Sequence, residues 1–155
     1  LSCRKTSGVG WSAPATIRIE GGSVGFQIGA KETDVIMLVM NEGGRNKLME
    51  SKLTLGGDAS IAAGPVGRSS SAQTDAQLHA EILSWSRSQG LFAGVSLDGA
   101  TLRPDVDDNA KLYGVRLGSR QIATTRTKMP KAAARFVAEL DKDSDQEHTT
   151  GGAGQ

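Results

Sequence analysis

GGSVGFQIGAKETDVIMLVMN, residues 21–41, decides how this chain folds. Val24, Phe26 and Ile28 alternate with small or polar residues, which places three apolar side chains on one face of a strand. A polar turn, Ala30-Lys31-Glu32-Thr33, leads into Val35-Ile36-Met37-Leu38-Val39-Met40. An apolar run of that length without alternation predicts a central strand covered on both faces. The stretch holds no nucleophile–base pair and no metal ligand set. It is architecture rather than chemistry.

Working outward, residues 15–20 alternate and end at Gly21-Gly22, which predicts a hairpin with residues 24–29. Asn41 begins a short helix with Leu48 and Met49 as apolar contacts, weakened by Gly43 and Gly44. Residues 53–66 predict one or two short strands broken at Gly56-Gly57 and Gly64-Pro65, and residues 69–71 a surface loop. A strand over 80–87 carries Leu83 and Trp85 on one side and Ile82 and Ser84 on the other. Gln89-Gly90 turns it into a second strand over 91–97. Beyond Arg103-Pro104 the period becomes helical, with Val106, Asn109, Ala110 and Tyr113 on one face and an aspartate at 105 or 107 as cap. A last helix begins near Pro130 and presents Ala133, Phe136, Val137 and Leu140.

Strands first and helices last predict an α+β fold. Its expected form is a mainly antiparallel sheet, open or barrel-like, with short peripheral helices and a C-terminal helix. Residues 1–140 are expected to form the domain, and residues 141–155, polar and glycine-rich, a disordered tail.

The 20 glycines among 155 residues make about 13%, against a usual share of about 7%. They lie between apolar runs without a repeat, so they punctuate short strands. Lysine plus arginine number 18 against 17 acidic residues, which gives no bulk attraction to DNA or RNA, and no aromatic stacking platform accompanies a basic run. Nucleic acid is not an expected partner. Cys3 is the single cysteine, so no intrachain disulfide forms. The longest apolar run is far too short for a transmembrane helix, and no signal peptide is visible. Leu1 is taken as the start of a trimmed fragment.

Catalytic and metal patterns are sparse. Ser2-Cys3-Arg4-Lys5 fits the S-x-x-K spacing of serine acyl-enzymes, but it precedes a glycine-rich strand region instead of opening a helix. His79 and His148 are the only histidines and, with one cysteine, supply too few ligands for zinc. The aspartates from 105 to 108 look calcium-like, yet Ala110 and Arg116 stand where that loop needs glycine and glutamate. The acids at 141, 143, 145 and 147 fail the same test at Gln146 and Gly152. No metal, no cofactor and no enzymatic activity are expected.

Four blocks carry a family resemblance. They are GWSAPATIRIEGGSVGFQIGAKETDVIMLVMN (10–41), LTLGGDASIAAGPVGR (53–68), AEILSWSRSQGLFAGVSLDGATLR (80–103) and NAKLYG (109–114). In this order they resemble the SYLF domain, a lipid-binding module of membrane-trafficking, actin-patch and bacterial proteins. The likeness runs from about Ser2 to about Leu140. It implies a non-enzymatic module that binds anionic phospholipid at a membrane surface. Its alternative is a protein-interaction module like the actin-binding relatives. It also implies several dozen residues upstream of Leu1, including an amphipathic segment to which eukaryotic relatives owe part of their phosphoinositide binding. Residues 72–94 are more similar to bacterial members. That implies an exported or envelope-associated (periplasmic) protein, or elsewhere a peripheral membrane protein.

Five residues are candidates for lipid contact. Arg68 follows Gly64-Pro65-Val66-Gly67 and suits an anionic headgroup. Trp85 offers an amphipathic ring for a membrane interface and Arg87 a forked donor for phosphate. Lys47 and Lys52 flank the short helix and can extend a basic edge. The simpler alternative is a core tryptophan, a salt-bridged arginine and solvated lysines.

Overall fold

The chain is described from a computed structural model, over residues 1–3, 10–21, 34–67, 75–125 and 127–144. Among these residues the strands are β1 (Ile17–Glu20), β2 (Asp34–Val39), β3 (Leu53–Thr54), β4 (Ile61–Ala63), β5 (Ile82–Ser88), β6 (Leu91–Gly94) and β7 (Thr101–Pro104). The helices are α1 (Glu42–Leu48), α2 (Asp75–His79), α3 (Val106–Tyr113), α4 (Ser119–Thr124) and α5 (Lys131–Asp143). The chain divides into two compact units, residues 18–103 and the combination of 1–17 with 104–155.

The first unit is built on β5. β2 pairs along it antiparallel, from Asp34↔Arg87 to Val39↔Ile82. On its other edge β5 pairs parallel with β4 (Ile61↔Ile82) and then antiparallel with β6 (Trp85↔Gly94 to Ser88↔Leu91). A second sheet has the order β1-β7-β3, with β3 antiparallel to β7. The α+β class and largely antiparallel pairing hold, but among the described residues the sheets are not closed into a barrel. The β5–β6 turn is Gln89-Gly90 with both φ values positive (51° and 81°), the twist that a two-residue hairpin favours. α1 starts at Asn41, whose side chain accepts from Gly44 N–H at 2.8 Å. Gly44 lets the helix pack closely, since a Cβ there would sit a tight 3.0 Å from Glu81 O.

Three expectations change. β2 is not covered on both faces, and among the described residues it pairs with β5 alone. Val35, Met37 and Val39 are half-buried, whereas Ile36, Leu38 and Met40 are 46–49% exposed. An unbroken apolar run marks two apolar faces, and here one of them is not covered. β7, α2 and α4 are additional elements; Thr101-Leu102-Arg103 is too short for its alternation to register. The last helix continues past Leu140 to Asp143. The hairpin partner at 24–29 and the loop at 69–71 lie outside the described residues.

In the second unit Ala13, Ala15 and Ile122 form a small core, with Leu1, Tyr113, Leu117 and Met129 packed against it. Asp105 caps α3 by accepting from Asp108 N–H at 3.0 Å. One turn on, Asn109 is fully buried and spends its amide on the backbone. Its Oδ1 accepts from Thr16 N–H and Thr16 Oγ1, each at 2.8 Å, and its Nδ2 donates to Leu117 O at 3.1 Å. Burial raises the Tyr113 phenol above its usual pKa while its hydroxyl donates to Pro14 O at 2.6 Å. α5 buries Ala133 and Val137. Trp11 holds its far end, donating from N–H to Asp141 and from Nε1–H to Ser144 Oγ.

Candidate functional site

Cross-strand partners share a face, so the register sets Ile36, Trp85 and Gly94 in one row and Asp34, Arg87 and Phe92 in the next. These rows carry two exposed apolar residues of the first unit, Ile36 and Phe92; Leu91 pairs with Ser88 and lies on the other face. Phe92 is 48% exposed and Leu91, at the hairpin tip, 77%. Between this face and residues 65–67 lies a groove of about 330 Å³, lined by Ile36, Pro65, Val66, Gly67, Trp85 and Phe92.

Trp85 forms the floor of the groove and is half-buried. It packs against Ala62, Ala80 and Leu83, and its Nε1–H donates to Pro65 O at 3.1 Å. The backbone reaches the indole because residue 64 is glycine. A Cβ there would lie 1.9 Å from Trp85 Cε2, and one on Gly94 would lie 2.2 Å from Gly64 O. Arg87 is exposed, with its guanidinium carbon 5.7 Å from the centre of the Phe92 ring. Asp34 is its cross-strand neighbour, yet among the described residues no carboxylate pairs with Arg87.

Trp85 and Arg87, chosen from sequence, thus stand two residues apart on one face. The lysines are placed differently. Lys47 Nζ donates to both Glu81 oxygens at 3.0 Å. That hydrogen bond, with one from Ser60 N–H, holds the Glu81 carboxyl below its ordinary pKa. Lys52 is exposed between α1 and β3, and Arg68 lies outside the described residues. Ile36 and Phe92 complete the walls. Ile36 was legible only as part of an apolar run, since its orientation depends on which face is covered.

Among the described residues the groove lining contains no ionisable group. Elsewhere the acids near α3 are engaged in structure: Asp105 caps, Asp107 pairs with Arg116 and Asp108 with Lys111, each pair at 2.7 Å. His79 is exposed, its Nδ1 2.8 Å from Asp75 O. The Arg4-Lys5 part of the S-x-x-K pattern, His148, Asp145 and Glu147 lie outside the described residues. Among the described residues no group of three or more His, Cys, Asp or Glu can hold a metal, and no helix is long and apolar enough to cross a membrane.

A family profile described as "Ysc84: Las17-binding protein actin regulator" matches residues 20–143. Protein YSC84 of Saccharomyces cerevisiae is 36% identical over 126 residues, covering 79% of this chain and 27% of that protein. LAS seventeen-binding protein 3 of the same species is 34% identical over 125 residues, with the same coverage. SH3 domain-containing YSC84-like protein 1 of Homo sapiens is 31% identical over 142 residues, covering 91% of this chain and 42% of that protein. The chain therefore spans between about a quarter and less than half of these relatives. No solved structure matches it. With the profile covering most of its length, from the end of β1 to the end of α5, the chain belongs to the Ysc84 (SYLF) family.

Proposed function

We propose that this chain is a non-enzymatic module that binds membrane surfaces, with the β5–β6 hairpin and the adjoining face of β2 as its contact. The observation that carries this reading is the exposure of Ile36, Leu38 and Phe92 on the sheet face that also holds Trp85 and Arg87, a cation that no carboxylate pairs with among the described residues. Isolated exposed apolar side chains need no explanation, but several on one sheet face beside an arginine fit an interface with an apolar interior and an anionic rim. Insertion of Leu91 and Phe92 would supply apolar burial. Each basic contact near an anionic leaflet adds about 1 kcal/mol. This makes the protein a peripheral membrane one, and in a bacterial cell an exported, envelope-associated one; cell fractionation tests that placement.

Co-sedimentation with vesicles tests the reading. Binding is expected to anionic phospholipid above neutral lipid, to weaken in salt, and to fall with Arg87→Ala and with Phe92→Ser. Arg68→Ala and Lys52→Ala in the same assay test those two positions. Equal binding to neutral and anionic vesicles, unchanged by Arg87→Ala, would remove the headgroup role.

The family description favours a second reading, a protein-interaction module that uses the same face. Co-sedimentation with actin filaments in the absence of lipid, lost in Phe92→Ser, would establish it over the first.

A further inference from the structure

We infer that the groove between residues 65–67 and the β5–β6 face takes the acyl chain of an anionic amphiphile, with Arg87 holding its head. The inference rests on reading this face as lipid-contacting and extends it from surface adhesion to capture of a single chain. Ile36, Val66, Trp85 and Phe92 give apolar walls, and Pro65 and Gly67 complete the lining among the described residues. Among the described lining residues the one polar side-chain atom, Trp85 Nε1, is already bonded to Pro65 O. A hydrocarbon chain brings no polar group into such a groove. A polypeptide brings an N–H and a C=O with each residue and, among the described residues, meets no free side-chain donor or acceptor there. The volume, about 330 Å³, is at the small end of ligand sites, which suits one chain segment.

Charge selects the head. The Arg87 guanidinium lies over Phe92, which itself lines the groove, and no carboxylate neutralises it among the described residues. An amphiphile threaded past Phe92 meets a forked donor suited to carboxylate or phosphate. Asp34 is the cross-strand neighbour of Arg87 on β2, across β5 from Phe92.

Titration with octanoate, decanoate and dodecanoate, each below its micelle concentration, tests this. The readout is Trp85 emission in a Trp11→Phe background, backed by calorimetry. Affinity is expected to rise by up to about fourfold per added methylene and to level off once the groove is filled. Alkyltrimethylammonium ions of equal length are expected to bind about tenfold more weakly, a preference that Arg87→Ala erases. Ile36→Glu, at an exposed position, is expected to abolish binding while leaving the thermal unfolding transition in place. Affinity independent of chain length, or equal for both head charges, would overturn the inference. So would a failure to bind alkanoates accompanied by self-association that Ile36→Glu disrupts, which would assign the groove to a second copy. Vesicle binding without alkanoate binding would refute the groove and leave the membrane reading standing. Alkanoate binding without vesicle binding would do the reverse.

Discussion

The two faces of strand β5 treat similar neighbours in opposite ways. On one face Ile82 and Ser84 have no exposed surface at all, and the Ser84 hydroxyl donates to Val95 O. On the other, Leu83 is covered but the surface opens at Trp85 and Arg87, and Ile36 and Leu38 on β2 stay nearly half exposed. On β2, paired with β5, both faces are apolar: Val35, Met37 and Val39 on the first, Ile36 and Leu38 on the second. Apolarity therefore marks the core on one side and a candidate contact surface on the other. Only the register and the burial distinguish them.

That comparison can be broken by substitution. Ile82→Ala on the closed face should destabilise the protein by about 3 kcal/mol through lost transfer energy and a cavity, measured by urea unfolding. A loss below about 1 kcal/mol would mean that this face is not the core. Gly64→Ala probes the boundary between the two faces. Its Cβ would overlap the indole, which must move, so a loss of about 2 kcal/mol and altered Trp85 emission are expected. Ser84→Ala should cost about 1 kcal/mol, because Val95 O would lose its partner in a buried setting. Ile36→Ser on the open face should change stability by no more than about 0.5 kcal/mol yet reduce vesicle binding severalfold. That separation of stability from binding sharpens the contrast most.

The smallest effect concerns the ion pair at the far end of β5. Glu81 is held below its usual pKa by Lys47, so its contribution is present above the unfolded-state pKa and is lost as pH falls through the lower folded value. Lys47→Met should cost about 0.5 kcal/mol at neutral pH, since Lys47 is partly solvated. The gap from wild type should close in acid, once Glu81 is protonated in both states. A gap that persisted there would assign the loss to packing of the lysine stem.

Much of this architecture is legible in sequence because the signals are local. Alternation and the Gln89-Gly90 turn mark β5 and its hairpin, Pro130 marks the start of α5, and Asp105 the start of α3. What escaped depends on tertiary placement. The run at 35–40 revealed two apolar faces but not that one stays open. Asn109 was placed on the inward face of α3, but its bonds to Thr16 and Leu117 link residues 93 and 8 positions apart, which no spacing rule anticipates. β7, four residues long, gains its identity from pairing with β3 rather than from its own pattern. In the candidate site Trp85 and Arg87 were visible as residue types of the right chemistry. The groove was not, because Gly64 and Pro65 reach Trp85 only through the parallel pairing of β4 with β5.

The open face of the β2–β5–β6 sheet as a lipid contact is the claim on which the functional account stands. The most direct test is quenching of Trp85 emission, in the Trp11→Phe background, by vesicles whose anionic phospholipids carry bromine along their acyl chains. The account expects a blue shift and quenching that require anionic lipid and disappear with Phe92→Ser. Emission that stays unquenched while the protein is bound to those vesicles would place the contact elsewhere and contradict the account.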